Sequence, residues 1–196
     1  MLASDDPFSA DKSRLRRALR AHRRTLAAAA PQAPVLAAQT LPVGLLGRFP
    51  VVGGYHALGA EFDPAPLIAR FIGHGALLAL PVATPDEPLL FRLVQAGDAP
   101  EPDAFGIPSP PPGAPEVLPD LLIAPLLAFD AAGGRLGQGG GHYDRTIAAI
   151  RQVKPLFVLG LAFAGQEVGH LDMAPHDQRL DAILTETGYR EVRKDF

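Results

Sequence analysis

The chain has 196 residues, 47% of them hydrophobic and 20% charged, with a net charge of −3 at neutral pH. That balance excludes bulk electrostatic attraction to nucleic acid or to a membrane surface. Cysteine is absent, which removes disulfides, thiolate metal sites and a cysteine nucleophile together.

A chain of this length can bury one good-sized core, so a single domain over residues 1–196 is expected. Its longest apolar run, Leu121 to Phe129, is far short of the ~20 residues that span a bilayer. Asp5 and Asp6 stand where an export signal needs an apolar segment, and a cytoplasmic location is the expectation.

Residues 11–30 read as a helix, with Leu15, Leu19, His22 and Leu26 recurring at helical spacing as a narrow apolar stripe. Seven of the eighteen basic residues (Lys12, Arg14, Arg16, Arg17, Arg20, Arg23 and Arg24) lie around that stripe. Most of them read as a solvated face; Lys12 and Arg16, four apart, share one side of the helix and can reach a common anion. A second helix is predicted from Pro34 to Gly47, with proline in its first turn. Val51 to Tyr55 reads as the first strand, followed by a loop from His56 to Phe62. Asp63-Pro64 signals a helix start, and that helix runs to about Gly73.

Ala76 to Val82 and Leu89 to Val94 read as strands. Alternating strands and helices predict an α/β fold, an α/β/α sandwich with a largely parallel, Rossmann-like sheet. Gly97 to Asp120 holds eight prolines and no periodicity, and reads as an extended segment crossing the surface. Leu121 to Leu127 is the predicted central strand. Pro155 to Phe163, Ala182 to Thr185 and Tyr189 to Val192 follow as further strands. There is no internal repeat.

Between the central strand and a helix predicted to start at Thr146 lies Phe129 to Arg145, with glycine at positions 133, 134, 137, 139, 140 and 141. Such density suggests backbone with positive φ or close approach to a ligand. A glycine-rich turn ahead of a helix N-terminus presents N–H groups to an anion. The loop is not a Walker A motif, since no Gly-Lys-Ser/Thr follows, and His142 stands where a dinucleotide fingerprint needs its last glycine. Asp130, Arg135, Tyr143, Asp144 and Arg145 flank it; two carboxylates and two guanidiniums suit a magnesium–phosphate site. Glu61 sits just past a strand end, where open α/β sheets bind ligands. His170 and His176 lack a third ligand nearby in sequence and read as surface residues.

Arg135-Leu136-Gly137-Gln138-Gly139-Gly140-Gly141-His142-Tyr143-Asp144-Arg145, preceded by Phe129-Asp130, resembles the signature of the 5-formyltetrahydrofolate cyclo-ligases. Lys12-Ser13-Arg14-Leu15-Arg16, Tyr55 to Glu61, Leu80-Pro81-Val82, Phe91-Arg92 and His176-Asp177 to Glu186 fall in the order of that family, so the similarity covers nearly the whole chain. The resemblance implies ATP- and magnesium-dependent ring closure of 5-formyltetrahydrofolate to 5,10-methenyltetrahydrofolate through phosphorylation of the formyl oxygen. It also implies ATP contacts at Lys12, Leu15, Arg16, Arg135, Gly137, Gln138, Gly139, Gly140, Gly141, His142 and Tyr143. Folate contacts fall to His56, Glu61 and Gln138 to His142, magnesium ligation to Asp144 and Asp181, and catalytic roles to Arg145 and His142. His142 departs from the tyrosine or phenylalanine frequent there in the family, and Gln138 departs as well. The implied partners are the two small-molecule substrates, with neither membrane nor nucleic acid, on a monomer or weak dimer. The alternative is a non-catalytic relative that binds nucleotide or RNA; retention of Lys12, Arg16, Glu61, Asp144 and Asp181 together favours the enzyme. A sugar-phosphate or coenzyme A enzyme on a similar layered fold is disfavoured by the glycine signature.

Overall fold

The computed structural model describes the backbone of residues 7–192 and the side chains of residues 13–192. The order is α1 (Pro7–Ala29), α2 (Ala33–Thr40), β1 (Val51–Gly53), α3 (Ala65–Gly73), β2 (Leu77–Val82), β3 (Leu90–Leu93), β4 (Glu101–Pro102), β5 (Pro108–Ser109), β6 (Leu121–Pro125), β7 (Ala128–Phe129), β8 (Arg135–Leu136), α4 (His142–Val153), β9 (Phe157–Leu161), β10 (Ala182–Thr185) and β11 (Gly188–Glu191). Seven strands form the main sheet in the order β11-β10-β9-β6-β1-β2-β3. The five inner strands run parallel, and β3 and β11 pair antiparallel at the edges. Among the described residues, no helix is long and apolar enough to cross a membrane.

The sheet is covered on both faces, and its strands show how. Leu121 and Ile123 of β6, Phe157, Leu159 and Leu161 of β9, and Ala182 and Leu184 of β10 pack with α2 and α3 residues such as Ala37, Leu67 and Phe71. Their alternates Leu122, Ala124, Val158 and Ile183 pack with Ile147 and Ile150 of α4. Side chains of a strand alternate faces, so these nearly unbroken apolar runs serve two cores, as buried parallel strands do. The expected α/β/α layering holds.

Several local expectations shift. The second helix stops at Thr40, not Gly47, and a short 3-10 turn spans Val43–Leu45. Pro42 is the cause: proline lacks an N–H and drives the preceding residue out of the helical region, and Leu41 is extended, with φ −61° and ψ 128°. At α3, Pro64 takes the capping position, while the Asp63 carboxylate still accepts the Ala65 N–H at 2.9 Å. The proline-rich segment is not merely extended, since β4 and β5 form a small hairpin. Asp103 holds its turn: Oδ1 accepts N–H from Phe105 at 2.8 Å and Ile107 at 2.9 Å, and Oδ2 accepts Ala83 N–H at 3.1 Å at the end of β2. The glycine loop likewise contains a hairpin, β7 with β8, and α4 starts four residues before Thr146, at His142.

Candidate active site

Asp130 builds the first half of the glycine loop. Its carboxylate, 3% exposed, accepts N–H groups from Ala132 (3.0 Å), Gly134 (2.8 Å) and Leu171 (3.0 Å). It thereby closes the β7–β8 turn and ties down the segment at Leu171. The expectation that Asp130 helps form a magnesium–phosphate site is corrected: it does not line the cavity, and its oxygens serve the backbone.

The second half turns into α4. Gly141 has φ +67° and caps the helix without a side-chain hydrogen bond, so the first-turn amides point out of the helix as an anion site. Gly139 has φ +108°, and a Cβ there would lie 3.2 Å from the Arg16 guanidinium carbon. Glycine is what lets Arg16 close on the loop, with Arg16 Nε donating to Gly137 O at 3.3 Å.

These elements wall a cavity of about 850 Å³, within the size range of small-molecule sites. It lies at the carboxyl ends of β1, β2 and β6, reached by Tyr55, Pro81 and Pro125. In the sheet, the chain goes one way from β1 to β2 and the other from β6 to β9, so the cavity opens at a topological switch point.

One wall is rich in donors. Arg135 pairs with Asp144 (Nη2 to Oδ1, 2.7 Å), and Arg145 Nη2 donates to Gly140 O at 2.9 Å. The Nε groups of Arg23, Arg135 and Arg145 are buried without a hydrogen-bond partner among the described residues, and all three arginines line the cavity. Buried donors of this kind call for an acceptor, and an acceptor-rich anion meets that need. Burial pulls the Arg135 guanidinium below its ordinary value against the opposing charge of Asp144, yet arginine stays protonated at neutral pH.

Beside Arg23 in the lining stands Glu61, whose side chain is 8% exposed. Its Oε1 accepts from Gln138 Nε2 at 3.2 Å and Arg23 Nη1 at 3.4 Å, and Oε2 accepts the Leu58 N–H at 3.1 Å. Tyr55 steadies the same loop by donating its hydroxyl to Phe62 O at 2.5 Å. Tyr143 lines the same cavity. Burial above all, with Glu61's charge, pushes its phenol well up, only partly offset by Arg135, so it remains neutral. His142 is held by Thr84 O at 3.2 Å from Nε2, with the Phe105 ring edge-on at 5.6 Å.

Of the residues singled out from sequence, His56, Glu61, Arg16, Arg135, Gly137 to Tyr143, Asp144 and Arg145 converge on this cavity. Leu15 does not; it is 47% exposed on α1, away from the lining. The Lys12 side chain lies outside the described residues. Asp181 stands elsewhere. It is fully buried away from the cavity, where Oδ2 meets Arg151 Nη2 at 2.7 Å and the Val158 N–H at 2.8 Å. That carboxylate holds α4, β9 and β10 together. His170 and His176 are largely exposed, as expected, though His176 stands at the cavity rim.

Sequence reasoning missed Arg20, Arg23 and Phe105. Arg20 grips Gln138 through both its side chain (2.7 Å) and its carbonyl (3.3 Å). Arg23, expected on a solvated face, is 6% exposed. The signal was available: Arg23 lies four residues after Leu19 and three before Leu26, on the inward face of α1.

For a metal, the cavity offers Asp144, whose Oδ1 carries the contacts to Arg135 and to the Gln178 N–H (2.9 Å), and Asp177 on the adjoining wall. No group of three metal-ligating side chains occurs among the described residues. Magnesium is commonly held by one or two carboxylates with substrate phosphates supplying further oxygens, and this donor set fits that mode.

A ligand cleft at the carboxyl edge of a parallel sheet, lined by buried guanidinium donors and an enclosed carboxylate, marks the chain as an α/β enzyme. Its sequence matches the profile of the 5-formyltetrahydrofolate cyclo-ligase family over residues 8–186. The chain belongs to that family. It is 31% identical over 189 residues to the 5-formyltetrahydrofolate cyclo-ligase of Mycolicibacterium smegmatis, covering 89% of this chain and 93% of the relative. To that of Escherichia coli K12 it is 34% identical over 158 residues, covering 78% and 80%. The NMR structure of Aquifex aeolicus 5,10-methenyltetrahydrofolate synthetase superposes with a TM-score of 0.70 at 27% identity, covering 94% of each chain.

Proposed function

We propose that the chain catalyses the ATP- and magnesium-dependent closure of 5-formyltetrahydrofolate to 5,10-methenyltetrahydrofolate, releasing ADP and phosphate. The observation that carries this is the position of the glycine loop. It lies between the guanidiniums of Arg16, Arg135 and Arg145 and the carboxylate of Glu61, so one loop can serve a phosphate on one side and a folate on the other.

The chemistry requires such a meeting point. A formyl oxygen is a poor leaving group; once it attacks the γ-phosphorus and ADP departs, it leaves readily as phosphate. The nitrogen at position 10 attacks the activated carbon and gives up its proton, the carbon–oxygen bond breaks, and the ring closes. The protein's part is to align two substrates and to stabilise charge on the transferring phosphoryl group. The first-turn amides of α4 with Arg16 and Arg135 hold the phosphates, and Arg145 faces the charge that develops in transfer. Glu61 accepts N–H donors of the pterin ring, with His56 beside it. Gln138 to His142 line the folate side, and His142, steadied by Thr84 and Phe105, faces the formyl group. Asp144 would hold magnesium together with the nucleotide phosphates, and the ion would neutralise part of their charge.

The test is spectroscopic: protein, magnesium-ATP and 5-formyltetrahydrofolate are mixed and methenyl absorbance is followed. Absorbance that grows only with ATP present is the expected result, and its absence with folded protein defeats the reading.

A further inference from the structure

Arg23 has the burial of a core residue and the chemistry of a site residue. It is 6% exposed, lines the cavity, and carries a buried Nε without a partner among the described residues. Its Nη1 donates to Leu126 O, just past β6, at 3.3 Å, and to Glu61 Oε1 at 3.4 Å. The side chains of Arg23 and Glu61 are 7% and 8% exposed. Leu126 O is also fixed from beyond, by Gln166 Nε2 at 2.9 Å.

A carboxylate this enclosed needs a cation and hydrogen bonds in place of the water it has lost. Arg23 is the cation in contact with Glu61, while Gln138 and the Leu58 N–H supply neutral donors. The pair is long for a charge-assisted bond, which is shorter by some tenths of an ångström at its best. Arg23 therefore offsets the charge of Glu61 through a long, weak hydrogen bond that leaves the carboxylate room for further donors. Being tied to Leu126, it also sets the carboxylate's position relative to the sheet. The loop from His56 to Phe62 thus gains a fixed reference on β6.

We infer that Arg23 is a positioning residue for folate binding: it acts through Glu61, holding that carboxylate aimed at the ring donors of the pterin. This rests on the assignment of Glu61 to the folate side under the proposed function. Arg23 differs from Arg16, Arg135 and Arg145 in that its effect falls on folate and not on ATP.

The experiment measures 5-formyltetrahydrofolate affinity by calorimetry, and KM values for both substrates, in wild type, Arg23→Gln, Arg23→Lys, Glu61→Gln and the double variant Arg23→Gln with Glu61→Gln. Arg23→Gln weakens folate affinity on the order of tenfold, leaves the KM for ATP within about twofold, and Arg23→Lys recovers part of the loss. In the Glu61→Gln background the Arg23 change adds little, because the residue it acts through is already gone. Additive losses, or a loss that falls equally on the KM for ATP, overturn the inference. Should Arg23→Gln fail to fold, the neutral pair Arg23→Met with Glu61→Gln replaces it. Folate affinity equal to that of Glu61→Gln alone supports the inference, and a further tenfold loss overturns it. Wild-type protein that turns over no folate defeats the proposed activity itself; active wild type with unaffected Arg23 variants defeats only the role of Arg23.

Discussion

Replacing Asp130 by asparagine tests how the glycine loop is held. The carboxylate accepts two N–H groups at Oδ1 and one at Oδ2 in a nearly dry setting. Asparagine keeps one carbonyl oxygen and puts an NH₂ in place of the other, so at least one backbone donor comes to face another donor. If the Oδ1 pair survives, the Leu171 bond is lost and its N–H left unpaired, for a cost of about 3 kcal/mol. At about 2–4 °C per kcal/mol for a chain of this size, the melting temperature falls by about 6–12 °C. The pH dependence follows from the same contacts. Burial alone pushes the Asp130 carboxyl up, but N–H donors from Gly134, Leu171 and Ala132, with the charge of Arg179, outweigh it and hold it below the usual carboxylate value. A carboxyl depressed by folding contributes stability that is complete above its unfolded pKa, about 3.9, and is lost as pH falls through the folded value. Thermal denaturation followed by circular dichroism from neutral to acid pH is the assay. The gap between wild type and variant is expected in full at neutral pH and to close below about pH 4. Melting temperatures within about 2 °C at neutral pH, or a gap that persists unchanged into acid, refute the reasoning.

Arg16→Ala removes the guanidinium that meets Gly137 O. With one charge-assisted phosphate contact of about 1.5–3 kcal/mol gone, the KM for ATP should rise on the order of tenfold to a hundredfold; Lys12→Ala carries the same expectation. Unchanged ATP kinetics in both variants would take Lys12 and Arg16 out of the phosphate site. Gly141→Ala forces a side chain into φ +67° and sets its Cβ 2.7 Å from Arg145 Nη1. Stability should fall by about 1 kcal/mol while turnover falls at least about tenfold, and steady-state kinetics beside chemical denaturation separate the two. Asp181→Ala should cost about 3 kcal/mol of stability by breaking the buried pair with Arg151, with the magnesium requirement per folded molecule unchanged. A raised magnesium requirement would return Asp181 to the metal.

The layering and the site's main strand-to-helix loop were legible in the sequence because both depend on local pattern. The unbroken apolar runs of β6 and β9 need cover on both faces, and glycines clustered between a strand and a helix mark tight turns and a loop open to an anion. What escaped depends on contacts between distant segments. Nothing local to Asp130 says that the donors it accepts are the backbone N–H groups of Gly134 and of Leu171. The carboxylates of Asp144 and Asp181 look equivalent in sequence, yet one faces the cavity and the other is sealed behind α4 by Arg151. Arg23 was hidden by its company: among seven basic residues on one helix, its burial is signalled only by its spacing from Leu19 and Leu26. The edge strands β3 and β11 read correctly as strands, while their antiparallel direction is set by the short returns that precede them.

The central claim is that the glycine loop brings a phosphoryl group to the formyl oxygen. The most direct measurement follows that oxygen. With a heavy-oxygen label in the formyl group of 5-formyltetrahydrofolate, mass spectrometry of the inorganic phosphate released in one turnover should find the label in the phosphate. Unlabelled phosphate, with the label left in water or in the folate, contradicts phosphorylation of the formyl oxygen and with it the shared site.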